Sequence, residues 1–284
     1  MDRKQPSSLD YETLLHELAL KNWRRSLLEG DLSRALQNAG QLARSRDRFW
    51  RWQGSLDLAV THLCQGLSES AREALEAAKE CFREVPGLRA PAFEIEAHFW
   101  LETGRPPRAL EAVRGASIET PVLLYFRGLA QARLADLEAA ASASRDLARG
   151  GTPLEIALSH HVAAESRPEA AVETLLQCAA SLPRPDGNPS TAGILVRFAL
   201  ASVLFERGEL SSALGVFEQV LHDEEAVLYW PIPFIRALFF RGRIRALRGD
   251  ESGASADGER FLSFWGTGDL DRERVDEARH WVKA

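Results

Sequence analysis

One short pattern recurs along the chain and restricts what it can fold into. It consists of an apolar residue, a turn residue three positions later, and an alanine five positions after the turn. The clearest copy lies in LFERGELSSALGVFEQVL (204–221), where Phe205, Gly208 and Ala213 occupy these positions. A glycine in the left-handed conformation ends a helix, and a small residue lets the next helix pack closely. The pattern therefore predicts a helical hairpin that bends at Gly208. The same spacing predicts further turns at Gly30, Gly66, Gly104, Ala135, Ser166 and Gly249.

A second position supports this register. The residues seven positions before the turns are small in every copy but the first, which has Trp23: Ala59, Ala97, Gly128, Ser159, Ala201 and Gly242. The glycine-to-alanine spacing alone is weak evidence, because it also occurs where a charged residue replaces the apolar one, at Gly54, Gly87 and Gly187. Strand-type alternation is nearly absent, so the sequence predicts an all-α array of short antiparallel hairpins.

Three prolines indicate where first helices begin. Pro91, Pro121 and Pro153 each precede a predicted turn by 13 or 14 residues. Proline suits the first turn of a helix, where its missing N–H would have had no partner. Thr152 and Glu155 flank Pro153 in the spacing of a capping box. We therefore expect each of these prolines in the first turn of its helix.

Composition excludes several classes of protein. The chain has 284 residues, of which 45% are hydrophobic and 27% charged, and its net charge is −6 at pH 7. This balance favours a folded cytoplasmic protein and argues against nucleic acid as a partner. Cys64, Cys81 and Cys178 are an odd number without close spacing, which predicts reduced, buried thiols. The apolar run GILVRFALASVLF (193–205) contains Arg197 and is too short to span a bilayer. Since the N-terminus shows no signal-peptide pattern, we expect a cytoplasmic protein that makes no membrane contact.

The repeated positions resemble the signature of the tetratricopeptide repeat (TPR) superfamily. In the best copy the signature positions hold Ala201, Gly208, Ala213 and Phe217. The resemblance extends over about residues 10 to 265, and it implies a right-handed α-solenoid of about seven helical hairpins with a C-terminal capping helix.

The C-terminal stretch GERFLSFWGTGDLDRERVDEARHWV (258–282) resembles the end of TPR regions in bacterial signalling proteins, notably those following serine/threonine kinase domains. The matching residues are Phe261, Leu262, Trp265, Asp269, Asp271, Glu277, Ala278 and Arg279. Gly266 replaces the usual basic residue, and no kinase motif is present. The resemblance thus implies a bacterial signalling setting without kinase activity.

The turn spacing also predicts how the chain is divided. We expect a block of about five hairpins over 9–182 and a Pro/Gly-rich connection over 183–193. Two further hairpins over 194–268 and a capping helix over 269–284 follow.

In TPR arrays the first helices line a concave groove that takes a partner segment. The resemblance implies that residues six and ten positions before each turn face this groove. These candidate groove residues are Leu20, Arg24, Leu56, Val60, Glu94, His98, Tyr125, Leu129, Ile156, His160, Phe198, Ser202, Phe239 and Arg243. Eight of the fourteen are apolar or aromatic, which favours an amphipathic partner segment. Alternatively, the superhelix closes on itself and buries part of this surface.

Three further segments have alternative interpretations. The arginines of 236–248 either pair with carboxylates of neighbouring helices or bind an acidic or phosphorylated segment. The segment ARSRDRFWRWQ (43–53) either packs its aromatic rings at a hairpin junction or contacts phosphates and bases. Ion pairing and packing are the favoured interpretations of these two. Tyr229 and Trp230 either pack a junction or contact a partner.

No motif indicates catalysis. The phosphate-binding loop, the nucleophile elbow and the zinc helix are absent from the sequence. His160 and His161 are adjacent, so they diverge by about 100° on a helix and do not chelate one metal together. We therefore expect a protein that is not an enzyme and has no metal or cofactor.

The sequence favours a protein-interaction scaffold that holds a partner segment in the groove, in bacterial signalling or regulation. The alternative function is a ligand-sensing regulatory module that binds a small molecule or signalling peptide. An open groove would favour the scaffold, and an enclosed pocket with convergent polar groups would favour the ligand sensor.

Overall fold

A computed structural model describes residues 8–166, 173–177, 182, 192–224 and 226–283. Within these residues the chain forms α-helices and no β-strand. The helices are α1 (Ser8–Leu28), α2 (Leu32–Ala43), α3 (Arg48–Cys64), α4 (Ser68–Cys81), α5 (Pro86–Glu102), α6 (Pro106–Gly115), α7 (Pro121–Arg133), α8 (Leu137–Gly150), α9 (Pro153–Ser166), α10 (Gly193–Glu206), α11 (Leu210–His222), α12 (Ala226–Tyr229), α13 (Pro231–Leu247), α14 (Glu251–Trp265) and α15 (Arg272–Lys283). Consecutive helices pack as antiparallel pairs, which confirms the predicted all-α array of hairpins.

The hairpins bend at the predicted residues. Six of the predicted turn residues have positive φ, between +61° and +78°: Gly30, Gly66, Gly104, Ala135, Gly208 and Gly249. At one of these turns the N–H of Gly208 donates to the carbonyl oxygen of Phe205, and the N–H of Glu209 donates to that of Leu204, both over 2.9 Å. These two bonds satisfy carbonyl groups that the helix end would otherwise leave without donors.

The alanines that open the second helices are packed between helices. Each is at most 2% exposed: Ala35, Ala71, Ala109, Ala140, Ala213 and Ala254. The small residues of the first helices are also buried, for example Ala59, Ala97 and Ala201 at 0%. The predicted register is therefore confirmed for the six hairpins whose two helices the structure describes.

The fifth hairpin is described in part. Its first helix, α9, ends at Ser166, whereas the predicted alanine of its second helix, Ala171, and the connection 183–191 lie outside the described residues. A segment at 173–177 is helical.

Two of the three prolines begin helices as predicted. Pro121 and Pro153 are the first residues of α7 and α9. The predicted capping box is present, because the N–H of Thr152 donates to Glu155 Oε2 over 3.1 Å and the N–H of Glu155 donates to Thr152 Oγ1 over 3.2 Å. The prediction for Pro91 is wrong. Helix α5 begins five residues earlier, at Pro86, and Pro91 lies inside it. A second proline already supplies the first turn there, so the missing N–H of Pro91 removes a bond inside the helix.

The array closes on itself. The N–H of Asp269, in the loop between α14 and α15, donates to the carbonyl oxygen of Gly66 over 2.8 Å. Ser68 Oγ donates to Asp269 Oδ2 over 2.7 Å, and the indole N–H of Trp265 donates to the carbonyl oxygen of Leu63 over 2.9 Å. Helix α13 also packs against α3. The turn of the second hairpin is therefore joined to the C-terminal end of the array.

An ion-pair cluster reinforces this closure. The guanidinium of Arg236 on α13 donates to the carboxylate of Glu102 on α5, and it also donates to Asp271 Oδ2 over 2.7 Å. All three side chains are less than 20% exposed. A largely buried arginine thus joins the third hairpin to the loop before α15.

The interior of the closed array is crossed by the chain itself. Helix α12 packs against α1 and α3. The ring of Trp230, which follows α12, lies edge-on to His98 at a centroid distance of 5.1 Å and to Phe126 at 5.7 Å. Trp230 is 5% exposed, so the chain's own segment 226–230 fills part of the interior.

Candidate functional site

Two cavities lie on the concave side of the array, near Trp230 and its neighbour His98. The central cavity has a volume of about 370 Å³ and is lined by α5, α7, α9 and α10. The second cavity has a volume of about 310 Å³ and lies between α1, α3, α5 and the segment 228–230. Trp230 lines the second cavity, and its neighbour His98 lines the central one. Both volumes are typical of sites for small organic molecules.

The central cavity has an apolar wall. Leu129 on α7, Ala164 on α9 and Leu195 on α10 are buried, and Phe198 on α10 is half-buried. These side chains come from three hairpins, because the register turns one side of each first helix inward. An apolar molecule placed here would be removed from water on several sides.

Other lining groups of the central cavity are polar. The hydroxyl of Tyr125 and Nδ1 of His161 are 2.7 Å apart and hydrogen-bonded. Arg133 Nη2 donates to Glu165 Oε1 over 2.7 Å, and Arg133 Nη1 donates to the carbonyl oxygen of Leu101 over 2.9 Å. Helices α7 and α9 thus contribute paired polar groups to the cavity.

Burial fixes the protonation states of the titratable groups His98, His161 and Tyr125 in this cavity. It lowers the pKa of His98 and of His161 to about 4, against partial opposition from Glu102 and Glu165. Burial likewise raises the pKa of Tyr125. Near neutral pH both imidazoles are therefore neutral and the phenol is protonated.

Glu102 is the exception among these groups. Burial alone would raise its pKa, but the charges of Arg236 and Arg133 outweigh this effect and hold the pKa below its ordinary value. The carboxylate therefore stays ionised next to the neutral histidines.

The second cavity has aromatic walls and a buried carboxyl group. Trp23, Trp52 and Trp230 line it together with Asp57, which is 2% exposed. Gln53 Nε2 donates to Asp57 Oδ1 over 2.8 Å. Burial raises the pKa of Asp57 to about 7, although the Gln53 bond and the charge of Arg24 lower it.

Comparison with known proteins gives likenesses of fold. No protein-family model and no curated protein matches the chain. The crystal structure of a tetratricopeptide repeat protein from Parabacteroides merdae has 18% identity and a TM-score of 0.49, over 95% of this chain and 100% of that one. The structure of Naa15/Naa10 bound to HypK-THB has 14% identity and a TM-score of 0.37, over 95% of this chain and 39% of that one. The TPR domain of P58(IPK) has 15% identity and a TM-score of 0.33, over 94% of this chain and 79% of that one.

The assignment of the fold rests on the repeat register, with its positive-φ turns followed five residues later by buried alanines. The fold is a TPR-type solenoid. Its first helices face the concave side, as the sequence resemblance implies, and two separate cavities lie on that side.

The solenoid places the candidate groove residues in different surroundings. Five line the central cavity: His98, Tyr125, Leu129, Phe198 and Ser202. Four line the second cavity: Arg24, Leu56, Val60 and Glu94. The others lie elsewhere. Leu20 packs against the core, Phe239 is fully buried, and Arg243 pairs with Glu277 over 3.1 Å.

The two remaining candidates lie on α9, where the residues that face inward are one position later in the sequence than predicted. Ile156 is 37% exposed and His160 is half-buried, whereas the next residues along, Ala157 and His161, are buried. The central cavity is lined by His161 instead of His160. Sequence reasoning missed His161 because the turn at Ser166 has no glycine to fix its position. A shift of one residue in that turn would have selected His161.

The arginines of 236–248 are engaged within the chain. Arg241 and Arg245 both donate to Asp257, with Arg245 Nη1 at 2.9 Å from Oδ2, and Arg248 Nη2 donates to Ser211 Oγ over 2.7 Å. The pairs of Arg236 and Arg243 are given above. These contacts correspond to the ion-pair interpretation and not to a free surface for an acidic partner.

The basic-aromatic segment 43–53 is divided between surface and core. Trp52 is buried and contacts Phe82 at a centroid distance of 6.0 Å, while Phe49 is 46% exposed. Arg48 Nη2 donates to Glu84 Oε2 over 2.6 Å. The segment thus packs at the junction of the second hairpin with α5.

Metal binding and membrane insertion have little support in the part of the chain that the structure describes. No group of three or more His, Cys, Asp or Glu side chains there has the arrangement of a metal site. None of the described helices combines the length and apolar character needed to cross a bilayer. Cys64 and Cys81 are free and buried, and Cys178 lies outside the described residues.

Proposed function

We propose that this chain is a non-catalytic, ligand-sensing regulatory module whose central cavity binds a small amphipathic molecule. The observation that carries the proposal is the central cavity, a space of about 370 Å³ lined by apolar side chains and several polar groups on the concave side of a solenoid that closes at Gly66 and Asp269. A compact cavity of this size suits a small ligand, whereas an extended partner segment needs a groove that runs along the array.

The lining defines the chemistry of this ligand. Its apolar body would lie against Leu129, Leu195 and Phe198. Its polar end would meet the neutral His98 and the hydrogen-bonded pair of Tyr125 and His161. Because Arg133 pairs with Glu165 and Glu102 pairs with Arg236, the cavity favours a polar but uncharged head group.

The protonation states support a binding role and not a catalytic one. General acid–base catalysis works best with a group whose pKa lies near the operating pH. In the central cavity burial moves the pKa of both histidines down to about 4 and the pKa of Tyr125 up, away from neutrality. These groups therefore serve as fixed donors and acceptors for a ligand.

A second candidate function is the protein-interaction scaffold that a TPR-type fold suggests in general. The observation that favours it is the position of α12 and Trp230, which occupy the concave side where a partner segment would lie. A partner would have to displace this segment. The resemblance of residues 258–282 to bacterial signalling proteins supports our proposal of a bacterial cytoplasm as the setting of either function.

The ligand proposal is tested by mass spectrometry of small molecules released from the purified protein by denaturation. Ser202 lines the central cavity and is half-buried, so Ser202→Trp should fill the space without disturbing the core. Leu247→Trp, at a position 63% exposed, is the matched control.

We expect a molecule retained by the wild type and by Leu247→Trp, but lost from Ser202→Trp. Equal retention by all three proteins would refute the central cavity as the site. If no small molecule is retained and an added peptide displaces Trp230, as shown by tryptophan fluorescence, the scaffold function is the correct one.

A further inference from the structure

The second cavity contains polar groups that the fold leaves without partners. Three side chains that line it carry a buried polar atom with no hydrogen-bond partner among the described residues: Nε1 of Trp52, Oδ2 of Asp57 and Nε1 of Trp230. The exposed fractions of these side chains are 8%, 2% and 5%. Buried polar groups in folded proteins are nearly always hydrogen-bonded, so three unpartnered atoms around one cavity make it a candidate site for a polar ligand.

Asp57 sets the charge of that ligand. Its Oδ1 accepts from Gln53, while Oδ2 has no donor in the described structure. A buried carboxylate is stabilised best by a charged donor. A protonated primary amine supplies both the N–H and the positive charge.

The two unpartnered indole N–H groups determine a second chemical group that the ligand must carry. The indole N–H of Trp23 already donates to Thr61 Oγ1 over 2.9 Å, so this tryptophan needs nothing from a ligand. The indole N–H groups of Trp52 and Trp230 are donors only and need an oxygen acceptor. A ligand for this cavity would therefore carry an acceptor oxygen as well as an amine.

The cavity walls suit such a molecule. Tyr229 lines the cavity together with the three tryptophans, and Leu56 and Val60 close its apolar side. Aromatic rings attract organic cations through their π-electron faces. The combination of several aromatic rings with one buried carboxyl group is typical of sites that bind amines.

The charges that face Asp57 come from two neighbouring helices. Arg24 on α1 is exposed and lines the cavity, and its charge acts on Asp57. Glu94 on α5 is half-buried and accepts a hydrogen bond from Thr120 Oγ1 over 2.6 Å, so it is already engaged. Asp57 is thus the carboxyl group left to receive a new donor in this cavity.

We propose that the second cavity binds a small primary amine that carries an acceptor oxygen, with the ammonium group held by Asp57 and the oxygen by the indole N–H groups of Trp52 and Trp230. This site is separate from the central cavity and does not depend on the function proposed for it. Since Trp230 follows α12, such a ligand would also hold the segment 226–230 against the second hairpin.

The proposal is tested by isothermal titration calorimetry of the full chain with matched pairs of probes. Tyramine and 4-methoxyphenethylamine, each of which carries an acceptor oxygen, are compared with tyrosol and 4-methoxyphenethyl alcohol, in which a hydroxyl replaces the amine. We expect each amine to bind at least about tenfold more tightly than its alcohol, because only the amine offers a charged donor to Asp57. If neither amine binds more tightly than its alcohol, the proposal is overturned.

Two variants locate the site. Asp57→Asn should abolish the preference for the amines, whereas Asp276→Asn, at an exposed carboxylate of α15, should keep it. Trp52→Phe retains an aromatic ring but lacks the N–H, so it should weaken tyramine binding several-fold. This variant tests the site if Asp57→Asn does not fold. Retention of the amine preference in Asp57→Asn would contradict the proposal.

A further variant separates this proposal from that of the central cavity. Ser202→Trp should bind tyramine as the wild type does. A loss of tyramine binding in this variant would place the amine in the central cavity and overturn the assignment to Asp57.

Discussion

The indole N–H of Trp265 donates to the carbonyl oxygen of Leu63 over 2.9 Å, although 202 positions separate the two residues in the sequence. Trp265 is fully buried, and its ring also contacts Phe261 at a centroid distance of 5.7 Å. This bond joins the last long hairpin to the turn of the second one. It is one of the contacts that make the array a closed solenoid and not an open superhelix.

Removing this hydrogen bond should weaken the closure. Trp265→Phe keeps an aromatic ring but leaves the buried carbonyl of Leu63 without its donor, which should lower the free energy of unfolding by about 1–3 kcal/mol. Urea unfolding followed by circular dichroism measures this change. An unaltered free energy of unfolding would show that the contact between Trp265 and Leu63 does not stabilise the protein in solution.

Gly66 should be less replaceable than the other turn glycines. Its φ is +70°, and a Cβ atom added to it would lie 3.2 Å from Trp265 Cδ1 and 3.3 Å from the Cα of Gly268. Gly249 has a similar φ of +77° but open space around it. Alanine in the left-handed conformation costs about 1 kcal/mol, so Gly249→Ala should lose about that much and Gly66→Ala about 1–2 kcal/mol more. Thermal melts of the two variants test this, and equal losses would argue against contact between the turn and the C-terminal loop.

The buried ion pair of Arg236 with Glu102 should have a large effect on stability when only one partner is removed. Arg236→Ala leaves the carboxylate of Glu102 buried without its main partner, which should cost about 3–5 kcal/mol. In the double variant Arg236→Leu with Glu102→Leu, most of that loss should be recovered, because no charge then remains unpaired.

The control for this cycle is the exposed pair of Arg108 and Glu111, whose side chains are 62% and 60% exposed. Arg108→Ala should cost less than about 0.5 kcal/mol. A small loss for Arg236→Ala, similar to that of the control, would contradict the buried cluster.

Stability should fall in mild acid because of the buried histidines. The pKa of His98 is about 4 in the folded chain and about 6.5 when unfolded. Between these values the unfolded chain binds a proton that the folded chain does not, so the histidine's contribution is complete above about pH 6.5 and is lost as the pH falls toward 4. Asp57 has the opposite effect, since its raised pKa favours the folded state as the pH falls from about 7 toward 3.8.

Comparison of His98→Phe with the wild type isolates the contribution of His98 to the pH dependence of the free energy of unfolding. His98→Phe keeps a ring against Trp230 but does not titrate. Between about pH 7.5 and about pH 5 it should lose about 1–2 kcal/mol less stability than the wild type, as measured by urea unfolding. Parallel losses in both proteins would show that His98 is accessible to protons in the folded state.

Local features of the fold could be predicted from the sequence. A turn glycine and the alanine five positions later act within one hairpin, so the pattern at Gly208 and Ala213 fixes the local geometry wherever it recurs. Ala135 shows that the place in the repeat can determine the backbone conformation of a turn residue, because this alanine has a positive φ of 61° although it is not a glycine. Pro91 shows the limit, since a second proline at Pro86 changed where the helix begins.

The closure and the cavities could not be predicted in the same way. Contact between Gly66 and Asp269 depends on small rotations that add up over several hairpins, and no local pattern encodes their sum. The unpartnered groups of Asp57 and Trp230 lie in segments that are distant in sequence, so their meeting also depends on the closure. The exchange of His160 for His161 in the central cavity resulted from an uncertainty of one residue in a turn without glycine.

The measurement that tests the closed solenoid most directly is intramolecular cross-linking between residues 68 and 269, whose side chains are hydrogen-bonded over 2.7 Å. Cysteines at both positions, Ser68→Cys with Asp269→Cys, are treated with a short bismaleimide in dilute solution, and the peptides are analysed by mass spectrometry. A closed solenoid predicts rapid formation of a cross-link within one chain in the double variant, while each single variant forms none at this site. An open superhelix would give only singly modified cysteines or links between two chains, and that result would contradict the account.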